Sequence, residues 1–368
     1  MNVDMAAPGV GGRLDKLREL IDKNLIWGLI ITCPENRRYY SGFTATDPML
    51  AESSGALLIV PKKAYLLTDG RYLEVAGQEA PDFEVVDTGP GGLGRTVANL
   101  IKRSHTLAFE PKYFTFSQFW HCRSDGGLNL VPCPFDPSDL RAAKSPDELN
   151  NIEKALEITE KALGWLFERL EPGWTEGEAA WFLDSTFREL GAQGPSFDTI
   201  VASGPRASLP HAEPGEKKIQ EGELVVIDCG ARYRGYAADI TRTYIKGQPQ
   251  KWQADIYRTV REAQLKAIEV MGPGVPCRMV DKVARDHIAE AGHSEHFGHS
   301  LGHGVGLAIH ESPSLNPRSV RRLEPGAVVT VEPGIYLPGQ GGVRLEQLVL
   351  ITEDGAKVLN RDRHFYDF

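Results

Sequence analysis

Hydrophobic positions change their period along the chain, and the change separates two regions. Through the first 140 residues they gather in short runs, "LIWGLIITC" (25–33), "GALLIV" (55–60) and "AYLLTD" (64–69), each of strand length. "GRYLEVAGQEA" (70–80) then reads as a helix, so this region is expected to be a small α/β unit. Proline and polar residues concentrate next in "VPCPFDPSDLRAAK" (131–144), as in a linker, and set the expected boundary between domains 1–140 and 141–368.

Beyond the boundary the period becomes helical. Ser145 at the N-cap, Pro146 at the first helical position and Glu148 at the third compose a capping box, in which the carboxylate reaches back to a free backbone N–H. Leu149, Ile152, Leu156, Leu163, Leu166 and Leu170 follow at helical spacing and mark a core face.

The remaining residues repeat themselves. Pro172-Gly173 precedes a helix expected to end near Gly191, and Pro273-Gly274 precedes another ending near Gly292, nineteen residues from proline to final glycine in both. "PHAEP" follows the first and "IHESP" the second. Next, "EGELVVID" and "EPGAVVTVE" each place a carboxylate six residues after a glycine, Asp228 after Gly222 and Glu332 after Gly326. Each copy then offers a second acid, Asp239 in the next strand and Glu346. The pattern predicts two copies of a helix, helix, strand, strand unit packed about a pseudo-two-fold axis, with the four acids converging between them.

Composition narrows the function classes. A chain of 368 residues, 41% hydrophobic and 25% charged, has the material for two globular domains. Its net charge of -9, without a lysine or arginine block, gives no support for binding nucleic acid or anionic lipid. Cys33, Cys122, Cys133, Cys229 and Cys277 are scattered without a C-x-x-C pair, which argues against a disulfide framework or zinc ribbon and favours a reducing cytoplasm. The N-terminus shows no apolar signal core, and "LIWGLIITC" is too short to cross a bilayer, so no membrane association is expected.

Four buried acids cannot share a site as bare anions, because like charges a few ångströms apart repel strongly. A multivalent cation resolves the conflict. "HFGHSLGHGVGLAIHESP" supplies His296, His299, His303 and His310, and the glycines flanking His303 are expected to admit close approach of an ion or substrate. One histidine with two aspartates and two glutamates is an oxygen-rich set, suited to two divalent ions, manganese or cobalt before zinc. Taken alone, a strand-end Asp228 is an ordinary turn or capping residue, and the joint pattern overrides that reading. His293 and His296 fit no motif and read as packing or surface residues.

"VVIDCGARYRGYAADITRT", "GHSLGHGVGLAIHE", "VVTVEPGIY" and "GGVRLEQLVLITEDG", in that order, closely resemble the proline-specific metallopeptidases of the pita-bread fold, aminopeptidase P and prolidase. "ENRRYYSGF" and "LLTDGRYLEVA" extend the resemblance more weakly into the first region, where the tyrosines read as core or domain contacts. The resemblance implies an α+β pita-bread catalytic domain after a smaller α/β domain. It implies Asp239 and Glu346 bridging two ions, Asp228 completing one shell, His303 and Glu332 the other, and a metal-activated hydroxide as nucleophile. His211 and His310 would contact the carbonyl oxygen and tetrahedral intermediate, His299 would hold substrate, Glu332 would also pass a proton, and Arg344 would hydrogen-bond near the site as a second substrate-binding residue. Gln347 stands where relatives often carry another acid.

The implied substrates are Xaa-Pro dipeptides or longer peptides with proline second, and the implied assembly is a homodimer whose first domain covers the substrate's amino end. The alternative of another class is a catalytically silent pita-bread peptide-binding protein. Such relatives lose ligands, and none is missing here. The metal-free creatine amidinohydrolase is disfavoured on the same ground, and methionine aminopeptidase by the leading domain and the "EPGIY" and "VRLEQ" contexts.

Overall fold

The computed structural model describes residues 10–47, 49, 52–102 and 104–367. The first part of the stretch without an apolar signal core therefore lies outside the described residues. Contacts divide the chain into two compact units after Arg141.

The first unit is built on a six-stranded sheet. Its strands run in the spatial order Glu84–Asp87, Lys63–Thr68, Ala56–Val60, Gly28–Ile31, Thr106–Phe109 and Asn129–Pro132. Leu29, Ile30 and Ile31 are wholly buried, as are Leu57, Leu58 and Ile59, because strands covered on both faces must be apolar at successive positions. The helix expected over 70–80 spans Leu73–Glu79. Tyr39 and Tyr40 are buried and donate to the carbonyls of Leu140 and Pro137, at 2.8 and 2.7 Å, in keeping with their reading as core residues. The segment read as a linker is ordered. Its start forms the sheet's edge strand, where Pro132 removes no ladder hydrogen bond, and Pro137–Arg141 forms a 3-10 turn.

The second unit opens with the expected capping box. Ser145 Oγ accepts from the Glu148 N–H at 3.1 Å, and Glu148 Oε2 accepts from the Ser145 N–H at 3.0 Å. The helix runs Pro146–Arg169, with Ile152, Leu156, Leu163 and Leu166 buried beneath it. The repeat is visible residue by residue. Glu176–Glu189 and Cys277–Glu290 are helices of 14 residues each. Gly173 and Gly274 turn the chain into them at φ +102° and +79°, and Gly191 and Gly292 turn it out at +92° and +85°. These are left-handed conformations that glycine alone adopts without strain, which explains the equal spacing in the sequence.

Each half packs its helices on its own strands. In the first, Leu163, Leu183 and Phe187 bury against Val225 and Ile227. In the second, Val260, Val280 and Ile288 belong to the same core as Val329, Val331 and Val349. Truncating a buried phenylalanine such as Phe187 to alanine costs about 3–5 kcal/mol. The Leu224–Cys229 and Ile240–Ile245 strands pair antiparallel over six registered positions, and Val328–Val331 pairs antiparallel with Gln347–Thr352 over four.

The halves meet through backbone. Thr241 O accepts from the Glu346 N–H at 3.1 Å, and Thr243 Oγ1 both accepts from the Arg344 N–H and donates to its carbonyl, at 3.1 and 2.9 Å. Asp239 departs from its expected place within a strand. It sits in the break between Tyr236–Ala237 and Ile240–Ile245, as Glu332 sits just past Val328–Val331 and Glu346 between Gly341–Arg344 and Gln347–Thr352. Outside a regular ladder, a side chain is released from strict alternation between faces.

Among the described residues no helix is long and apolar enough to cross a membrane. All five cysteines are free and buried.

Candidate metal centre

Three side chains form the tightest cluster. Asp239, His303 and Glu346 each offer a ligand atom, and these atoms lie within 4.8 Å of one another. Asp239 and Glu346 are 5% and 1% exposed, so neither carboxylate is solvated by bulk water. Glu332 joins through His303, with Oε1 3.2 Å from Nε2, and Asp239 Oδ2 lies 3.6 Å from the same nitrogen. Asp228 stands slightly apart, with Oδ2 2.7 Å from Arg344 Nη2.

His303 is aimed by its backbone. Its Nδ1 lies 3.1 Å from the Gly304 carbonyl, which assigns the proton to Nδ1 and turns Nε2 toward the carboxylates. The pairing register shifts between His303 and Gly304. The flanking glycines, expected to admit an ion or substrate, instead admit protein backbone. A Cβ at Gly302 would fall 2.0 Å from Thr330 O, and one at Gly304 2.4 Å from Ser312 O. Thr330 Oγ1 accepts from the His303 N–H at 3.0 Å and donates to Glu332 Oε1 at 3.1 Å, fixing imidazole and carboxylate together.

The electrostatics describe a site short of positive charge. Burial, then the charges of Glu346, Asp228 and Glu332, push Asp239 well above the usual carboxylate range. Burial, then Glu332 and Asp228, do the same to Glu346. Glu332 moves down, because the bond and charge of His303 overcome a larger burial effect that opposes them. Burial likewise works to lower His303, and Glu332 overcomes it to raise the imidazole. Asp228 Oδ1 and Glu346 Oε1 are buried without a hydrogen-bond partner, a costly condition for an acceptor. Two orphaned oxygens, an imidazole nitrogen turned inward and mutually repelling acids are the donor set a divalent cation satisfies, so the residues fit such an ion.

Arg344 is buried and donates to several protein groups. Besides Asp228 it donates to Tyr336 Oη at 2.9 Å, Thr241 Oγ1 at 3.0 Å and the Pro210 carbonyl at 3.2 Å. Thr241 Oγ1 in turn donates to Glu346 Oε2 at 2.8 Å. His299 Nδ1 lies 2.8 Å from the Ser300 carbonyl and Nε2 2.9 Å from Tyr336 Oη, so the phenol donates to Nε2 while accepting from Arg344. Burial first, then Arg344, lowers the His299 pKa against an opposing pull from Glu332. Tyr336 and Thr241 lie inside "VVTVEPGIY" and "VVIDCGARYRGYAADITRT", but nothing in those motifs marks either as a site residue.

The two outer histidines are exposed. His211 sits in the turn after Gly204–Ser208, next to the Pro210 carbonyl that Arg344 holds. His310 packs edge-on against His303, ring centroids 4.3 Å apart, and its pKa is lowered first by burial on that side and then by His303. His293 and His296 lie against each other, with Nδ1 atoms 3.4 Å and ring centroids 5.5 Å apart.

Fold and site together define an acid-rich centre fit for a divalent cation on a duplicated helix and strand scaffold. Comparison with known proteins gives that scaffold its family. Residues 150–353 match the model of metallopeptidase family M24, and residues 13–142 that of the creatinase/prolidase N-terminal domain. An Xaa-Pro dipeptidase of Pyrococcus horikoshii is 47% identical over 353 residues, covering 95% of this chain and 97% of its own. Among solved structures, an Xaa-Pro dipeptidase from Bacillus anthracis superposes with a TM-score of 0.90 at 38% identity, covering 96% of this chain and 98% of that one. An X-Pro aminopeptidase from Thermotoga maritima does so with a TM-score of 0.86 at 36% identity and the same coverage. The chain belongs to metallopeptidase family M24, with a pita-bread catalytic unit behind a creatinase-type N-terminal one.

Proposed function

We propose that this protein is an Xaa-Pro dipeptidase, with residues 141–368 as the catalytic domain and residues 1–140 as the N-terminal domain. The observation that carries the hydrolytic part is the convergence of Asp239, His303 and Glu346 around oxygens that protein donors leave unsatisfied. The dipeptide preference draws on the Pyrococcus horikoshii and Bacillus anthracis relatives. The Thermotoga maritima structure favours a second reading, release of an N-terminal residue from longer Xaa-Pro peptides.

In this reading Asp228, Asp239, His303, Glu332 and Glu346 are the residues that would hold two divalent ions, with Asp239 and Glu346 serving both halves of the site. Such ions, manganese preferred and cobalt or zinc as alternatives, supply positive charge for the scissile carbonyl and lower the pKa of water. The side chains do the rest. Glu332, held by Thr330, takes the proton of the attacking water and passes it to the proline nitrogen as the bond breaks. His310 and His211 donate to the oxygen that gains charge in the tetrahedral state. His299, its Nε2 occupied by Tyr336, shapes the substrate pocket as a neutral ring. The contacts of Arg344 support a role in holding Asp228 in place of the substrate contact implied by resemblance.

Five free thiols support a reducing cytoplasm, and we assign a homodimer by family likeness. The test is a pair of initial rates. Chelated protein should be inactive and recover with manganese, then hydrolyse an Xaa-Pro dipeptide faster than an Xaa-Pro-Yaa-Zaa peptide. The opposite ratio would establish the aminopeptidase reading, and full activity in verified metal-free protein would reject both.

A further inference from the structure

The Ile240–Ile245 strand carries a second function on its other face. Thr241 and Thr243 bond to Glu346 and Arg344, while Arg242, between them, leaves from the opposite side. Its guanidinium turns back through one nitrogen. Nη1 donates to the carbonyl of Glu346 at 2.6 Å and to that of Thr241 at 2.9 Å. These are the backbone oxygens of the two residues whose side chains meet in the site. The clamp therefore holds Glu346 through its backbone, away from the carboxylate that enters the site.

What fixes Arg242 is the segment after the last strand. Asp362 receives Nε at 2.9 Å on Oδ2 and Nη2 on Oδ1, a two-pronged pair with side chains 0% and 3% exposed. The Phe365 ring lies 4.4 Å from the Arg242 guanidinium carbon and 3.7 Å from that of Arg261. The segment is itself anchored at both ends. Glu160 Oε1 accepts from the N–H groups of Arg361 and Asp362, at 2.8 and 3.2 Å. Tyr366 Oη donates to the Ile245 carbonyl at 3.1 Å and accepts from its N–H at 3.2 Å. The helix of the first half, the site strand and the C-terminal segment are thus tied to one guanidinium.

We infer that Arg242 and Asp362 are positioning residues for cation binding: the C-terminal segment sets Arg242, and Arg242 sets the backbone of Glu346. The inference rests on the proposed metal role of Glu346. A buried pair that merely stabilised the fold would be replaceable at a loss of stability alone. A positioning pair has a different signature, because misplacing one shared carboxylate weakens the ion before it affects the chemical step.

The experiment titrates metal-free Asp362→Asn with manganese by calorimetry, beside its thermal midpoint without metal and kcat over a range of manganese. The expected result is manganese affinity weaker by about 10- to 100-fold, with kcat recovered once manganese saturates. Asp362→Glu should restore most of the affinity. Wild-type affinity in Asp362→Asn, with or without a lowered midpoint, overturns the inference. If Asp362→Asn does not fold, Phe365→Leu is measured in its place, and wild-type affinity there overturns the inference equally. Wild-type protein that binds no manganese is a separate result, seen before any variant is made, and it removes the metal-centre reading as well.

Discussion

The two halves of the catalytic unit share a scaffold but not a way of satisfying their charges. In the second half Glu332 is held by its own His303 and Thr330, from strands of the same sheet. In the first half no cation is paired with Asp228 from its own half among the described residues. Arg344, 116 positions along the chain, supplies one. The difference teaches that the repeat sets the positions of the acids in both halves, while charge compensation is distributed between the copies. A self-contained half would tolerate separation, and the first half, whose Asp228 is neutralised from the second, is expected not to.

The largest effect tests whether the halves contribute equally to the ions. Asp239→Asn and Glu346→Gln should each lower kcat/KM by roughly a thousandfold or more, about 4 kcal/mol of transition-state stabilisation, with lost metal content by elemental analysis. If one of them stays fully loaded and active, the sharing of carboxylates across the halves is wrong. The outer histidines are the next comparison. His211→Ala and His310→Ala should each lower kcat about a hundredfold, near 3 kcal/mol, while metal content holds. Loss of an ion in either variant would make that histidine a ligand. A normal kcat in His211→Ala alone would show that the copies have diverged in function as well as in wiring.

Arg344→Met probes the crossing contact itself. It should weaken metal affinity about tenfold and leave the Glu332–His303 pair intact. An unchanged affinity would mean that Asp228 needs no help from the other half.

The smallest effect is a slope. Without metal, Asp239 and Glu346 keep their protons in the folded chain above the pH where the unfolded chain releases them, near pH 4. In that window the folded state binds more protons, so these acids make stability fall as pH rises. Thermal midpoints of metal-free protein should therefore decline more from about pH 5 to about pH 8 than those of Glu346→Gln. Parallel curves would place the charge strain elsewhere.

Features that depend on neighbours in sequence were legible before the structure. The capping box at Ser145, the glycine pairs bounding the two 14-residue helices and the apolar strand runs all follow from local backbone and burial rules. The spacing of the acids exposed the duplication for the same reason. Asp239 was misplaced because a strand pattern gives no sign of a break that costs only two residues of pairing. The glycines around His303 suggest room for a ligand on sequence alone, which does not show that backbone closes on them. Tyr336, Thr241 and Arg242 escaped notice because their partners lie on other elements. Thr241 and Arg242 reach Glu346 across more than a hundred positions, and the Tyr336 phenol meets His299 from 37 positions away.

The guanidinium of Arg344 has a consequence for how the chain could be divided. The connection 246–250 between the last site strand of the first half and the next helix is the natural place to cut, since it carries no helix or strand. Two fragments made there would each hold an incomplete set of donors, and the earlier fragment would present Asp228 with its neutralising partner on another molecule. Neither piece should hydrolyse anything. Mixed together, they should regain activity only as a one-to-one complex, which makes this enzyme a natural substrate for split-protein reporters of proximity.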